Sequence, residues 1–172
     1  MSYTFKKSDS GIIGKAFEMS IKEALNRSNA GKVSPCGQAD FRFNHKNYDT
    51  KQNGSCIQYT EGGRYIKGSN RVLYASHVAY RVTEETLDLV TIEVDLFATE
   101  IFVLDRKEFL DFLLSSGLAK RNASRGTVNI QTGYNYKLDS YHGRAGKKIE
   151  AWAREHELND DIVTIVYDNL EG

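Results

Sequence analysis

"ADFRFNHKNYDTKQNG", residues 39–54, decides how the chain is read. Phe41, Phe43, Tyr48 and Thr50 alternate with Asp40, Arg42, Asp49 and Lys51. A period of two marks a strand, because successive side chains point to opposite faces. The stretch predicts two strands, about 38–44 and 47–52, folded on a turn at His45-Lys46 or across Asn44 to Asn47. Either turn sets Asp40 opposite Lys51 and Arg42 opposite Asp49. Facing residues share one side of a sheet at about 5 Å, so Asp40, Asp49 and Lys51 converge while Phe41, Phe43 and Tyr48 point the other way. A third strand, about 55–60, follows Asn53-Gly54, a strong hairpin signal, and pairing Gln52 with Ser55 brings Gln58 beside Asp49.

Two carboxylates on stiff strands can share a hard cation such as Mg²⁺, with the Thr50 carbonyl as a further ligand. An ammonium two residues along the same face can orient a water and neutralise charge on a phosphate. This is the chemistry of metal-assisted phosphodiester hydrolysis. The same residues also suit two cross-strand ion pairs, Asp40–Lys51 and Arg42–Asp49, on a solvated face. The residues alone leave both readings open.

Around this hairpin the pattern alternates between helix and strand. Ile12, Ile13, Ala16, Phe17, Ile21, Ala24 and Leu25 recur at helical spacing and predict a helix over about 11–28. "RVLYASHVAYRV" and "TLDLVTIEVDLFATEIFVLD" are rich in Val, Ile and aromatics and predict further strands. "DRKEFLDFLLSSG" predicts a helix with Asp105 as N-cap, Glu108 completing a capping box and Gly117 as the stop. "GTVNIQT" predicts a strand, and "GKKIEAWAREHEL" a helix whose Trp152 joins Ile149 and Ala153 in the core. The order implies α/β or α+β architecture with a mixed sheet.

Composition narrows the function classes. At 172 residues, 40% hydrophobic and 27% charged, the chain is globular and suits one domain. No apolar run approaches the roughly 20 residues of a membrane span, and MSYTFKKSDS lacks a signal-peptide core, so a cytoplasmic protein with no membrane partner is expected. Cys36 and Cys56 make no CxxC pair and read as reduced thiols. His45, His77, His142 and His156 lack metal spacing. Without a Walker A loop, a Rossmann fingerprint or a nucleophile elbow, a nucleotide cofactor is not expected.

Net charge is zero, yet the charge is segregated. Residues 1–70 carry 11 Lys/Arg against 6 Asp/Glu, and 119–148 carry 7 against 1. Residues 71–118 and 149–172 are acidic, with 4 against 9 and 1 against 7. The basic segment 119–148 interleaves Lys120, Arg121, Arg125, Lys137, Arg144, Lys147 and Lys148 with Tyr134, Tyr136 and Tyr141. Cations meet phosphates and tyrosines can stack on bases, although a solvated loop has the same composition. Arg64, Lys67 and Arg71 add a second basic group, and Gln52 and Gln58 can hydrogen-bond a phosphate.

An Asp, a short hairpin and an acid-x-Lys, preceded by a helix bearing a Glu, resemble the PD-(D/E)XK nuclease superfamily. The motif reads Ala39-Asp40, eight intervening residues, then Asp49-Thr50-Lys51. Ala39 stands where the family has Pro, and Asp49 where it more often has Glu. The short interval looks most like small phage or mobile-element resolvases and homing-type or restriction endonucleases. The resemblance implies a restriction-endonuclease-like mixed β-sheet flanked by helices over a single domain, 1–172, with its motif core in about 11–60. It implies a Mg²⁺ (or Mn²⁺) site on Asp40, Asp49 and Thr50, with Lys51 orienting the attacking water. The extra carboxylate would come from "GIIGKAFEMSIKEAL", with Glu18 first and Glu23 second. DNA is the implied partner, and a homodimer follows for an enzyme that cuts both strands. A catalytically silent DNA-binding or inhibitory protein of a mobile element is the alternative within the family.

Overall fold

The computed structural model describes residues 1–36, 39–52, 57–60, 70–122, 127–130 and 144–170. Its centre is a mixed four-stranded sheet in the order β2-β3-β5-β8, formed by β2 (Phe41–Phe43), β3 (Lys46–Gln52), β5 (Asn70–Ala75) and β8 (Ile101–Asp105). β3 and β5 run parallel; the other pairs are antiparallel. β5 and β8 are apolar on both sides, as strands covered on both faces require, while β3 carries the polar residues. Leu73, Ala75, Ile101 and Val103 face one core with Tyr48; Val72, Tyr74, Phe102 and Leu104 face the other.

Among the described residues, four helices supply the cover. α1 (Ile12–Arg27) and α4 (Ile162–Asp168) lie on the Tyr48 side, through Ala16, Phe17, Ile21, Ile162 and Val166. α2 (Arg106–Ser115) and α3 (Arg144–His156) lie on the other, through Phe109, Leu113, Ile149 and Ala153. Asp105 caps α2 by accepting from the Glu108 N–H at 3.0 Å, and Gly117 closes it at φ 77°.

α1 is buried on two sides. Beyond it lies an antiparallel sheet, β1 (Ser2–Lys6), β7 (Leu89–Val94) and β6 (Tyr80–Glu85), which turns Tyr3, Phe5, Val90, Ile92 and Val94 toward the same core. A third sheet joins β4 (Ile57–Thr60), β10 (Thr127–Ile130) and β9 (Ala119–Asn122). The result is a mixed α+β architecture. β1 and α4 go beyond the sequence expectations, though the alternation of Tyr3 and Phe5 is a strand signal. Among the described residues no helix is long and apolar enough to cross a membrane.

The hairpin register differs from the expected one. The turn is Asn44-His45, both left-handed at φ 50° and 65°, the backbone of a tight two-residue turn. Phe41 therefore pairs with Tyr48 and Arg42 with Asn47, two residues from the expected register. Asp40 does not face Lys51, nor Arg42 Asp49. Gly31 lies against the turn, where a Cβ would come within 2.5 Å of Asn44 Oδ1. The Asn53-Gly54 hairpin is also overturned, because the far edge of β3 is taken by β5 and β4 pairs with β10. Residues 53–56 themselves lie outside the described residues.

A buried ionic clip ties the C-terminal region to the sheet. Asp160 Oδ2 accepts from the Tyr48 hydroxyl at 2.8 Å and from Arg71 at 3.0 Å, while its Oδ1 accepts from the Ile162 N–H at 3.0 Å. Burial, then the Asp160 hydrogen bond, raises the Tyr48 hydroxyl pKa, keeping it a donor. The Asp160 side chain is 1% exposed and that of Arg71 17%, so removing one partner strands a charge. Asp160→Ala is expected to cost roughly 3–5 kcal/mol in urea unfolding, and Tyr48→Phe roughly 1 kcal/mol. A cost under about 1 kcal/mol for Asp160→Ala would mean the clip does not hold α4 in place.

Candidate active site

The site lies where β3 runs past β2. From Asp49 to Gln52 β3 is paired with β5 on one edge, while β2 has already ended on the other. Asp40 occupies that edge. Its carboxylate accepts from the Thr50 N–H at 2.7 Å and from the Thr50 hydroxyl at 2.9 Å. Its own N–H donates to the Tyr48 carbonyl at 3.0 Å.

Glu18 reaches the same place from α1. A side-chain hydrogen bond joins it to Asp40, and Lys22 lies 3.7 Å from it one turn on. Burial first, then the Asp40 charge and this hydrogen bond, push the Glu18 carboxyl up to about 7. Glu23 is elsewhere, accepting from Tyr3 of β1 and, at 3.0 Å, from Arg27.

Asp49 approaches from the opposite face of the sheet. Its register partner is Val72 and that of Lys51 is Tyr74, both in the α2–α3 core, so this face is covered and not a wet one. Asp49 is only 8% exposed. Burial, then the Asp40 charge, push its carboxyl up to about 6; Lys51, Arg106 and a backbone hydrogen bond from Asp40 oppose this. Arg106 Nε lies 3.6 Å from Asp49 Oδ2. Glu18, Asp40 and Asp49 thus form one chain of interacting carboxyls, with Lys51 acting on the last.

The set offers hard oxygen donors, which suit a hard dication, with Lys22, Lys51 and Arg106 offsetting their charge. Among the described residues no three His, Cys, Asp or Glu side chains are grouped closely enough to hold a metal ion between them. Two carboxylates with the Thr50 carbonyl and water would complete the ligands, the habit of Mg²⁺.

The expected DNA contacts divide. Gln52 stays near the site, its Nε2 3.4 Å from where a Cβ on Gly14 would lie, one turn before Glu18. Gln58 leaves it, pairing with Asn129 in the third sheet, and Arg71 is committed to Asp160. Lys120 and Arg121 are in β9, against Asn129 and Val128, so part of the basic segment is strand and not loop. Arg64, Lys67 and Arg125 lie outside the described residues. Arg144 begins α3, and Lys147 and Lys148 are exposed on it, in the layer covering the Asp49 face. Trp152 is half-buried, stacked on Phe112 at 4.6 Å and on His156 at 4.4 Å.

Sequence reasoning missed Arg106. One signal was present, since an Arg at the first position of a capped helix opposes the helix dipole and calls for a partner. Comparison with protein-family models, curated proteins and solved structures finds no match for this chain.

The raised carboxyls fix a pH dependence. A carboxyl whose folded pKa is raised binds its proton more tightly folded than unfolded, so stability falls as pH climbs from the unfolded value through the folded one. For Asp49 and Glu18 that window runs from 3.8 and 4.5 to about 6 and 7. In chelator, the melting temperature is expected to drop more between pH 5 and pH 8 for the native chain than for Asp49→Asn. Parallel curves would show that Asp49 titrates as an ordinary surface carboxyl.

Proposed function

We propose that the protein is a metal-dependent deoxyribonuclease that hydrolyses phosphodiester bonds, with a restriction-endonuclease-like core. The convergence of Glu18, Asp40 and Asp49 at an open strand edge beside Lys51 carries this reading. A mixed sheet with helices on both faces supports the fold assignment.

Asp40, Asp49 and the Thr50 carbonyl would hold a Mg²⁺ ion. When bound, the ion polarises the phosphate and offsets charge in the transition state. Lys51 orients the attacking water and neutralises phosphate charge. Glu18, raised to about 7, is matched to accepting a proton from that water at neutral pH. Lys147 and Lys148 hold the DNA backbone, and a homodimer serves the two strands of a duplex.

A second reading, the same fold binding DNA without cutting it, draws support from the Asp49–Arg106 ion pair, which engages one of the two ligands.

Cleavage of plasmid, linear duplex, single-stranded and four-way-junction DNA with Mg²⁺ or Mn²⁺ separates the readings. Asp40→Ala and Lys51→Ala are each expected to lower the rate by about a hundredfold or more while DNA binding persists. DNA bound but uncut by the native chain would favour the silent module, and no binding would remove the nucleic-acid role.

Lys147→Ala and Lys148→Ala should each reduce the slope of log affinity against log salt by about 1 without changing sequence preference. Unchanged slopes would place the DNA off α3.

A further inference from the structure

We infer that Arg106 is the resident counter-ion of the cation site, competing with the dication for Asp49 and thereby setting how tightly the site loads. The inference rests on the reading of Asp40 and Asp49 as cation ligands.

Three observations carry it. The two side chains are 10% and 11% exposed, and charges at that depth persist only when paired. The separation of 3.6 Å is too long for a good hydrogen bond. The pair is therefore a loose electrostatic contact, easier to displace than a bidentate fork.

The second observation is position. Arg106 is the first residue of α2, immediately after the N-cap Asp105. The positive end of the helix dipole disfavours a cation there. The Asp49 charge thus favours a guanidinium there against the dipole of its own helix.

The third is charge balance. Asp49 interacts with Asp40 and with Arg106, and Lys51 lies on the same face of the sheet. A dication entering between Asp40 and Asp49 meets the guanidinium within a few ångströms, and like charges at that range repel strongly. Loading the site therefore weakens the Arg106–Asp49 contact, and the contact weakens loading.

Mn²⁺ binding, titrated by calorimetry at pH 8, tests this on the native chain, Arg106→Met, Arg106→Lys and Asp49→Asn. Arg106→Met is expected to bind about tenfold or more tightly than the native chain, Arg106→Lys to stay within about threefold, and Asp49→Asn to lose the site. Equal or weaker binding by a folded Arg106→Met would overturn the inference while leaving the cation site standing. If Asp49→Asn binds as the native chain does, Asp49 is no ligand and both readings fall.

Should Arg106→Met not fold, the native chain still decides. The Arg106 Nε–H resonance should shift along the Mg²⁺ saturation curve, and a signal unmoved at saturation would overturn the competition.

Discussion

Two hydrogen bonds from Thr50 to the Asp40 carboxylate, at 2.7 and 2.9 Å, govern the arrangement of the site. A strand edge with an unmet N–H must find an acceptor, because a buried orphan donor costs about 1–3 kcal/mol. Here the acceptor is a side chain and not another strand. That choice holds a charged carboxylate at the sheet edge, where groups from both faces can reach it. Glu18 arrives from the α1 side, and Asp49 is coupled to it from the α2 side. The raised pKa values of the other two carboxyls follow from burial first and then from sharing this edge with Asp40.

Coverage of both faces turns a polar strand into a site. Had the Asp49–Lys51 face been open to water, its charges would have been screened and weakly coupled. α2 and α3 lower the local dielectric over Asp49, and α1 does the same for Glu18 between its two sheets. Each carboxyl then feels its neighbours strongly, and burial together with local charge sets its protonation. The Asp160 clip stabilises this frame by tying α4 to Tyr48 of β3 and Arg71 of β5, the strands that carry and flank Asp49.

The parts of this arrangement legible in the sequence are those set by short-range pattern. Period-two alternation put Asp40, Asp49 and Lys51 on one face and Phe41, Phe43 and Tyr48 on the other. For Asp49, Lys51 and the three aromatics that survived a register error, because the error was two residues and only an odd slip exchanges faces; Asp40 instead sits at the strand edge, bonded to Thr50 on the Tyr48 side. The partners were wrong because Asn44-His45 lacks the glycine that usually marks a tight primed turn. Asn53-Gly54 carried that mark, but the parallel pairing of β3 with β5 overrode it. Arg71, Arg106 and Asp160 were beyond local reading, since their roles depend on partners 89, 57 and 112 positions away: Arg71 with Asp160, Arg106 with Asp49 and Asp160 with Tyr48.

The central claim is that Asp40 and Asp49 hold one cation at the open edge of β3. Anomalous scattering from a crystal soaked in Mn²⁺ tests it most directly. The account predicts a single strong peak within about 2.0–2.5 Å of an oxygen from each carboxylate. A peak elsewhere, or none with both carboxylates ordered as described, would contradict it.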